Sequence, residues 1–259
     1  MARIIIKKVR KEFIPELNRE VIVGKGARFY ISDTSRAFSS LHGTIQPCEL
    51  AKADGSEIVS DNGKKFTIFS PSFVDEYKRL KRLPQAIPPK DIGVVIAETG
   101  VGPTSFCVDS GTGSGAMACF LAHVCGRVVT YDIEDEHLAV ARENKERLRL
   151  GNLEIKKGDF TLGVEEKGAD LVTLDLPAPW DAIGTSTACL KIGGFLVSYS
   201  PSMAQAMDMA NALLGRDDFI IIKNVEVMER EWEIEARKVR PKNKSMIHSG
   251  FLTIARKIK

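Results

Sequence analysis

The stretch Val108–Met117 constrains what this chain can fold into more than any other part of it. It reads V-D-S-G-T-G-S-G-A-M, and the apolar helical pattern Met117–Val124 follows. An apolar run, an acid, alternating glycines and a helix start predict a strand, a tight loop and a helix. An α/β fold uses this arrangement to bring its backbone against a nucleotide-like ligand. Glycine permits positive φ and lacks the Cβ that would block a ligand. The glycines of this loop are Gly111, Gly113 and Gly115.

The residues beyond the loop decide which ligand is expected. No Gly-Lys-Ser/Thr follows it, so the lysine that cradles a triphosphate is missing. The first four predicted core strands each end in an acid: Asp109, Asp132, Asp159 and Asp175. This much negative charge would repel the pyrophosphate of a dinucleotide, whereas it would attract a sulfonium and an amino group. The pattern therefore predicts S-adenosylmethionine and a class I methyltransferase, with an α/β, Rossmann-like fold and a seven-stranded sheet.

Length and charge add weaker constraints. A chain of 259 residues can hold one large α/β domain and a small companion. Its net charge of +3 is too small to indicate a polyanionic partner by itself. Basic residues nevertheless concentrate in residues 237–244, R-K-V-R-P-K-N-K. That segment is either a phosphate-binding surface or a solvated loop.

Cysteine usage and the first residues indicate the compartment. The five cysteines form no C-x-x-C pair and have no metal-ligand spacing, so we expect core thiols in a reducing cytoplasm and no metal site. The start, M-A-R-I-I-I-K-K, has three apolar residues in a row before charges resume. We therefore expect neither a signal peptide nor a membrane anchor.

Three segments differ in pattern. Residues 1–70 contain short alternating runs separated by turn signals such as Asp61-Asn62-Gly63, which predicts a small β barrel or sandwich without helices. Residues 71–91 contain a helix over Ser72–Leu80 and a rigid Pro-rich connector. Residues 92–259 alternate strands and helices and end in two predicted long strands, Phe219–Ile234 and Gly250–Lys257.

Five motifs together resemble the tRNA (adenine-58-N1)-methyltransferases that act on the T-loop, in their archaeal or bacterial form. They are Leu41-His42-Gly43, Gln85–Asp91, the glycine loop, Asp175–Trp180 (D-L-P-A-P-W) and His248–Lys257. The last two are the most specific, since all class I enzymes share the glycine loop. The resemblance covers nearly the whole chain. It implies S-adenosylmethionine as cofactor, tRNA as substrate, a β domain (1–70) that helps to hold tRNA, a catalytic domain (92–259) and a homotetramer.

The resemblance assigns catalysis to Asp175, and the chemistry agrees. Adenine N1 attacks with a lone pair and needs no proton removed, but a carboxylate that accepts from the N6 amino group would stabilise the charge that develops on the ring. The other interpretation is that Asp175 caps a helix. Trp180 is expected to pack on the target base or to close the pocket. Tyr199 is a second candidate for base capture or else a buried strand aromatic. Pro88 stands where relatives often carry tyrosine or histidine, so other residues must capture the base.

The cofactor site carries over from the same motifs. Asp132, where the family usually has glutamate, is expected to bind the ribose hydroxyls. Asp159 and Phe160 are expected to contact the adenine. Asp109 would orient the loop or the cofactor amine. The other expected contacts are Gln85, Gly111, Gly113, Ser114, Gly115, Ala116 and Met117.

The target adenosine must leave its stack in the tRNA core, which costs a few kcal/mol that phosphate contacts must offset. The residues expected to bind tRNA are His42, Trp180, Arg237, Lys238, Arg240, Lys242, Lys244 and His248. For His42 and His248 a structural role is the alternative.

Two other functions stay open. The chain could be a class I methyltransferase for a small molecule or a protein, or a catalytically silent tRNA-binding subunit. A silent subunit should have lost the glycine loop or the acid before Leu176-Pro177, and both are present here. Whether adenosine 57 is also a target is undecided by the sequence.

Overall fold

The computed structural model describes residues 2–235, 238–243 and 248–259. These residues form two compact units, an N-terminal unit, Met1–Lys78, and a C-terminal unit, Arg79–Lys259. Arg237 and Lys244, two of the cations assigned to tRNA, lie outside the described residues.

The N-terminal unit is a small β structure around one apolar core. Its strands are β1 (Arg3–Lys7), β2 (Arg10–Ile14), β3 (Arg19–Gly24), β4 (Ala27–Ile31), β5 (Phe38–Ser40), β6 (Gly43–Ile45), β7 (Glu57–Val59) and β8 (Lys65–Phe69). Four of them form a sheet in the order β4-β1-β8-β7, and β2–β3 and β5–β6 are separate hairpins. The predicted hairpin at Asp61–Gly63 is confirmed, because it joins β7 to β8. The core consists of Ile5, Ile31, Ile45, Leu50, Ile58, Phe66 and Ile68.

Two short helices complete this unit. The expectation of no helix before residue 70 is wrong by one turn, α1 (Pro47–Leu50), because Pro47 at the first helical position favours a turn there. Helix α2 (Phe73–Tyr77) is shorter than predicted. Its predicted cap is present, since Ser72 and Asp75 form a capping box.

The C-terminal unit contains one seven-stranded sheet in the order β11-β10-β9-β12-β13-β17-β14. Its strands are β9 (Phe106–Ser110), β10 (Arg127–Asp132), β11 (Leu153–Lys157), β12 (Ala169–Leu174), β13 (Leu190–Ser200), β14 (Phe219–Glu226) and β17 (Phe251–Lys257). The sheet is parallel from β11 to β13, and β17 runs antiparallel to both of its neighbours. The helices are α3 (Pro89–Thr99), α4 (Ala116–Val124), α5 (Asp135–Leu148), α6 (Ile183–Cys189) and α7 (Met203–Leu214).

The predicted long strand Phe219–Ile234 is wrong. Strand β14 ends at Glu226, where it pairs with Phe251, the first residue of β17. Beyond that pair β17 offers no further partner, so the chain leaves the sheet. It forms a separate hairpin of β15 (Trp232–Glu235) and β16 (Lys238–Pro241). The basic segment is therefore partly strand rather than a loop. No helix within the described ranges is long and apolar enough to span a membrane.

Candidate active site

A cavity of about 720 Å³ opens at the carboxyl ends of the parallel strands. That volume is within the usual range for small-molecule sites, and open α/β sheets bind ligands at this edge. The lining comes from the segments after β9, β10, β11 and β12, from Pro84–Ile87, and from Pro201 and Gln205. Most of the lining follows a strand end, so the predicted strands and the acids after them indicated where the site lies.

The charge of the lining indicates what the cavity can hold. Among the described residues that line it, five are carboxylates and none is lysine or arginine: Asp132, Glu134, Asp159, Asp175 and Asp181. A pyrophosphate would find no cation here. A nucleoside that carries a sulfonium and an amino group would find carboxylates for both. A Cβ added at Gly113 would meet nothing within 4 Å, so the loop backbone faces open space. The residues present therefore fit S-adenosylmethionine.

Asp109, which is predicted to orient the glycine loop or the cofactor amine, does not line this cavity. It is 1% exposed and accepts hydrogen bonds from the hydroxyls of Thr130 (2.7 Å) and Thr173 (2.6 Å). Because Thr130 donates its proton to Asp109, its oxygen accepts from the Thr112 hydroxyl in the glycine loop, 2.7 Å away. Asp109 thus anchors the loop through two threonines. Burial raises the pKa of Asp109 to about 6, and the charge of Asp132 contributes.

Asp132 lies at the cavity wall and holds the loop from the other side. Its Oδ2 accepts from the Gly113 amide (2.9 Å), and its Oδ1 accepts from the Glu134 amide (3.0 Å). The Nδ1 atom of His137, a lining residue that the sequence analysis missed, is 3.2 Å from Asp132 Oδ2. His137 lies in the first turn of α5, and the signal for it was its position just after a strand-end acid.

The other residues that are expected to bind the cofactor line the cavity, with the exception of Gly115. Asp159 and Phe160 line the cavity, and Asp159 Oδ1 accepts from the Thr161 amide (2.9 Å) and hydroxyl (2.6 Å). Gly115 is the N-cap of α4 and lies behind the lining. The remaining expected contacts all line the cavity: Gln85, Gly111, Gly113, Ser114, Ala116 and Met117.

Asp175 lies half-buried in the cavity wall at the end of β12. Its amide donates to Ser110 O (2.8 Å), which joins the loops after β12 and β9. Burial, followed by the charges of Asp109 and Asp132, raises the pKa of Asp175 to about 7. The following loop is held by Gln205, whose side-chain amide donates to Pro177 O (3.1 Å). These two hydrogen bonds hold the backbone that carries Asp175.

Tyr199 and Trp180 are not part of the main lining. Tyr199 is 6% exposed and lies with Asp109 and Asp175 around a small void beneath the cavity. Its ring packs on Gly250, where a Cβ would come within 2.5 Å of it. Burial raises the pKa of Tyr199 to about 12. Trp180 packs against the apolar core of the sheet.

Those residues assigned to tRNA that the structure describes have partners within the protein. His42 packs edge-on against Phe29 and Phe66 in the N-terminal unit. Nδ1 of His248 is 2.6 Å from Oε1 of Glu226, and this hydrogen bond raises the pKa of His248. The described cations of the hairpin pair with acids of the facing strand or its flank: Lys238 and Arg240 with Glu233, and Lys242 with Glu231.

The β15–β16 hairpin has two unlike faces. The register pairs Trp232 with Pro241 and Ile234 with Val239 on one face, and Glu233 with Arg240 on the other. Trp232, Ile234 and Val239 are each at least half exposed, so the apolar face is open to solvent. Such a face is typical of a docking surface.

Comparison with known sequences decides the family. The sequence profile of the family described as "tRNA methyltransferase complex GCD14 subunit" matches residues 78–256, nearly the whole C-terminal unit. The chain belongs to the GCD14 family.

Relatives of this family member extend the similarity beyond the profile. The chain is 31% identical to "tRNA (adenine(57)-N(1)/adenine(58)-N(1))-methyltransferase TrmI" of Methanocaldococcus jannaschii, over 90% of this chain and 92% of that one. It is 28% identical to "tRNA (adenine(58)-N(1))-methyltransferase TrmI" of Thermus thermophilus, over 81% and 84%. Because the first alignment covers 90% of the chain, it must include most of the N-terminal unit, which the profile leaves out.

Solved structures resemble the GCD14 family member over its whole length. A SAM-dependent O-methyltransferase of Thermotoga maritima matches with a TM-score of 0.79 and 27% identity, over 99% of this chain and 93% of that one. The tRNA (m1A58) methyltransferase TrmI of Aquifex aeolicus matches with a TM-score of 0.77 and 21% identity, over 99% and 97%. The predicted class I methyltransferase fold and the predicted family are both confirmed.

Proposed function

We propose that this protein transfers a methyl group from S-adenosylmethionine to N1 of adenosine 58 in the T-loop of tRNA. The observation that carries the proposal is Asp175, a carboxyl group set in the wall of a cavity that is lined by acids and free of lysine and arginine among its described residues. The names of the Methanocaldococcus and Thermus relatives support the same reaction.

The chemistry follows from what the side chains can do. The cofactor, when bound, supplies an electrophilic methyl group. Adenine N1 needs alignment rather than activation by a base, and alignment alone can supply several kcal/mol of the barrier. Asp175 would accept a hydrogen bond from the N6 amino group and stabilise the positive charge that develops on the ring. Asp132 would accept hydrogen bonds from the ribose hydroxyls. The hydrogen bond from Gln205 to Pro177 O would hold the loop after Asp175 and so keep Asp175 aligned.

Delivery of the tRNA would use the amphipathic hairpin. Its charged face carries Lys238 and Arg240, which pair with Glu233 in the free protein. On binding, phosphate oxygens of the tRNA would replace Glu233 as their partner. The exposed apolar face of the hairpin supports a homotetramer, because a second copy would cover it and would add basic surface to the same tRNA.

The N-terminal unit would help to hold the tRNA. The five free thiols suit a cytoplasmic protein.

Adenosine 57 is a second candidate target. The relative from Methanocaldococcus jannaschii, which is 31% identical, carries both positions in its name, whereas the Thermus thermophilus relative at 28% carries position 58 alone. Adenosine 57 would be bound at the same cavity, with the same hydrogen bond from N6 to Asp175.

The test is methyl transfer from labelled S-adenosylmethionine to an unmodified tRNA transcript, with the product mapped by mass spectrometry. We expect N1-methyladenosine at position 58, and its loss on a transcript with guanosine there. Methylation at 57 would be scored on the same transcripts. Cofactor binding without tRNA methylation would favour the small-molecule or protein substrate. Binding of tRNA without cofactor binding would favour the silent subunit.

The raised pKa of Asp175 leads to a pH prediction. At pH 6 the carboxyl group is mostly neutral, and at pH 8 it is ionised, since its pKa is about 7. Only the ionised form attracts a sulfonium. The affinity for S-adenosylmethionine, relative to the uncharged thioether S-adenosylhomocysteine, should therefore rise about tenfold from pH 6 to pH 8. Equilibrium binding of both ligands measures this ratio. In Asp175→Asn the ratio should change by no more than about twofold, the part that the titration of Asp109 near pH 6 can contribute. An unchanged ratio in the wild-type protein would contradict the prediction.

A further inference from the structure

The hairpin is the tip of a longer excursion from the sheet. The chain leaves the sheet after Glu226 and returns to it at Phe251, and this pair is the last contact between β14 and β17. The direction of the hairpin therefore depends on what holds the two ends of the excursion, which we call the neck.

One buried ammonium group contacts both ends of the neck. Nζ of Lys90 donates to Val227 O (2.6 Å) on the outgoing chain and to Ser249 Oγ (2.5 Å) on the returning chain. Its third bond goes to Asp91 Oδ1 (2.8 Å). Ser249 Oγ in turn donates to Asp91 Oδ2 (2.6 Å). All three donors of the ammonium are used.

The ion pair of this cluster is almost completely buried. The side chains of Lys90 and Asp91 are 6% and 1% exposed. A buried ion pair is a poor source of net stability, because the cost of desolvating both charges offsets their attraction. What the pair contributes here is a fixed orientation of the neck, since it ties the start of α3 to two segments more than a hundred residues away.

The neck also lies beside the cavity. His248, on the returning chain, has its Nε2 3.3 Å from Pro201 O, and Pro201 lines the cavity. On the other side, Lys90 follows Pro84–Ile87, which line the cavity as well. A shift of the neck would therefore move the hairpin relative to the cavity in which the target base must lie.

We propose that Lys90 is a positioning residue that clamps the neck and holds the charged face of the hairpin where tRNA reaches the cavity. This inference rests on the proposed function, because it requires tRNA as the substrate. Lys90 touches neither the cavity nor the reacting atoms, and acts only through the hairpin.

The test compares Lys90→Met with the double variant Lys90→Met/Asp91→Asn in the full-length protein. The single variant leaves a buried carboxylate without its cation and should lower the melting temperature. The double variant removes that unpaired charge and should recover the melting temperature. In both variants the KM for tRNA should rise about tenfold or more, because a displaced hairpin would lose phosphate contacts that contribute to tRNA affinity. The affinity for S-adenosylhomocysteine should stay within about twofold of wild type. This limit is well below a tenfold change in affinity, which corresponds to about 1.4 kcal/mol.

Limited trypsin digestion measures directly how readily the hairpin opens. Cleavage after Lys238 and Lys242, identified by mass spectrometry, should be faster in both variants, because a released neck lets the hairpin open. Lys223→Met is the matched control. It removes another lysine ion pair, Lys223–Glu98 (2.8 Å), from the same sheet edge but not from the neck, and neither KM nor cleavage should change.

The outcomes separate the two proposals. A double variant with wild-type KM and wild-type cleavage would overturn the clamp, and Lys90 would be purely structural. A wild-type protein that does not methylate tRNA would overturn the proposed function and the tRNA part of this inference. In that case the cleavage comparison still decides whether Lys90 holds the hairpin.

Discussion

Replacing Asp175 with asparagine should reduce the rate constant for methyl transfer to tRNA by at least about 100-fold, the usual cost of losing one electrostatic contact to the transition state. Asparagine keeps the shape of the side chain and can still accept from N6, but it has no negative charge to offset the positive charge on the adenine ring. Single-turnover methylation with saturating cofactor measures the chemical step alone.

Asp181→Asn is the control for Asp175. It removes a carboxylate from the same cavity wall, six residues further along the chain, without changing the residue at the end of β12. We expect an effect of less than about tenfold, since only a charge next to the ring acts on the transition state. Equal losses in the two variants would mean that the total negative charge of the cavity, and not Asp175 itself, supports the reaction.

Gly111→Ala should abolish measurable cofactor binding and lower the free energy of unfolding by about 3 kcal/mol or more. Gly111 has a φ of +85°, and a Cβ there would lie 2.0 Å from Asp175 O. Because a backbone carbonyl cannot move aside cheaply, the glycine loop or the end of β12 must shift. Either shift changes the cavity wall. Calorimetric titration with S-adenosylhomocysteine and thermal unfolding report the two effects.

Gly100→Ala separates backbone strain from the clash. Gly100 also has a positive φ, +66°, but a Cβ there would meet nothing within 4 Å. The strain alone should cost about 1–2 kcal/mol, and cofactor binding should be unchanged. If Gly111→Ala lost no more stability than Gly100→Ala and still bound the ligand, the close approach to Asp175 would not be what requires glycine.

The strands of the C-terminal unit were predictable where the local sequence pattern indicates which residues are buried. Strands β9, β10 and β12 have a parallel neighbour on each side, so each reads as a mainly apolar run, and the acid at its end marks the ligand edge. The edge strand β11, L-E-I-K-K, is more polar, and the pair Gly158-Asp159 marks its end. This is why Asp132, Asp159 and Asp175 were correctly expected near one another. Asp109 followed the same rule but lies behind the wall, because its neighbouring strands each place a threonine against it.

The tail was predicted less well because its structure depends on partners. The run Phe219–Ile234 has strand-like composition throughout, but a strand persists only as far as a neighbour pairs with it. The neighbour β17 begins at Phe251, so β14 ends at Glu226. The ion pairs of Lys238, Arg240 and Lys242 were equally out of reach, since cross-strand partners depend on the hairpin register.

By itself the sequence determined the alternation of strands and helices from β9 to β13, the tight loop at Gly111 and the row of acids at the strand ends. Each of these depends on residues that are close along the chain. Only the tertiary structure decided that Tyr199 is buried under the cavity, that Thr130 links Asp109 to the loop, and that Lys90 contacts both Val227 and Ser249. These contacts join residues that are distant along the chain, and packing of the whole sheet and its helices sets the distances between them.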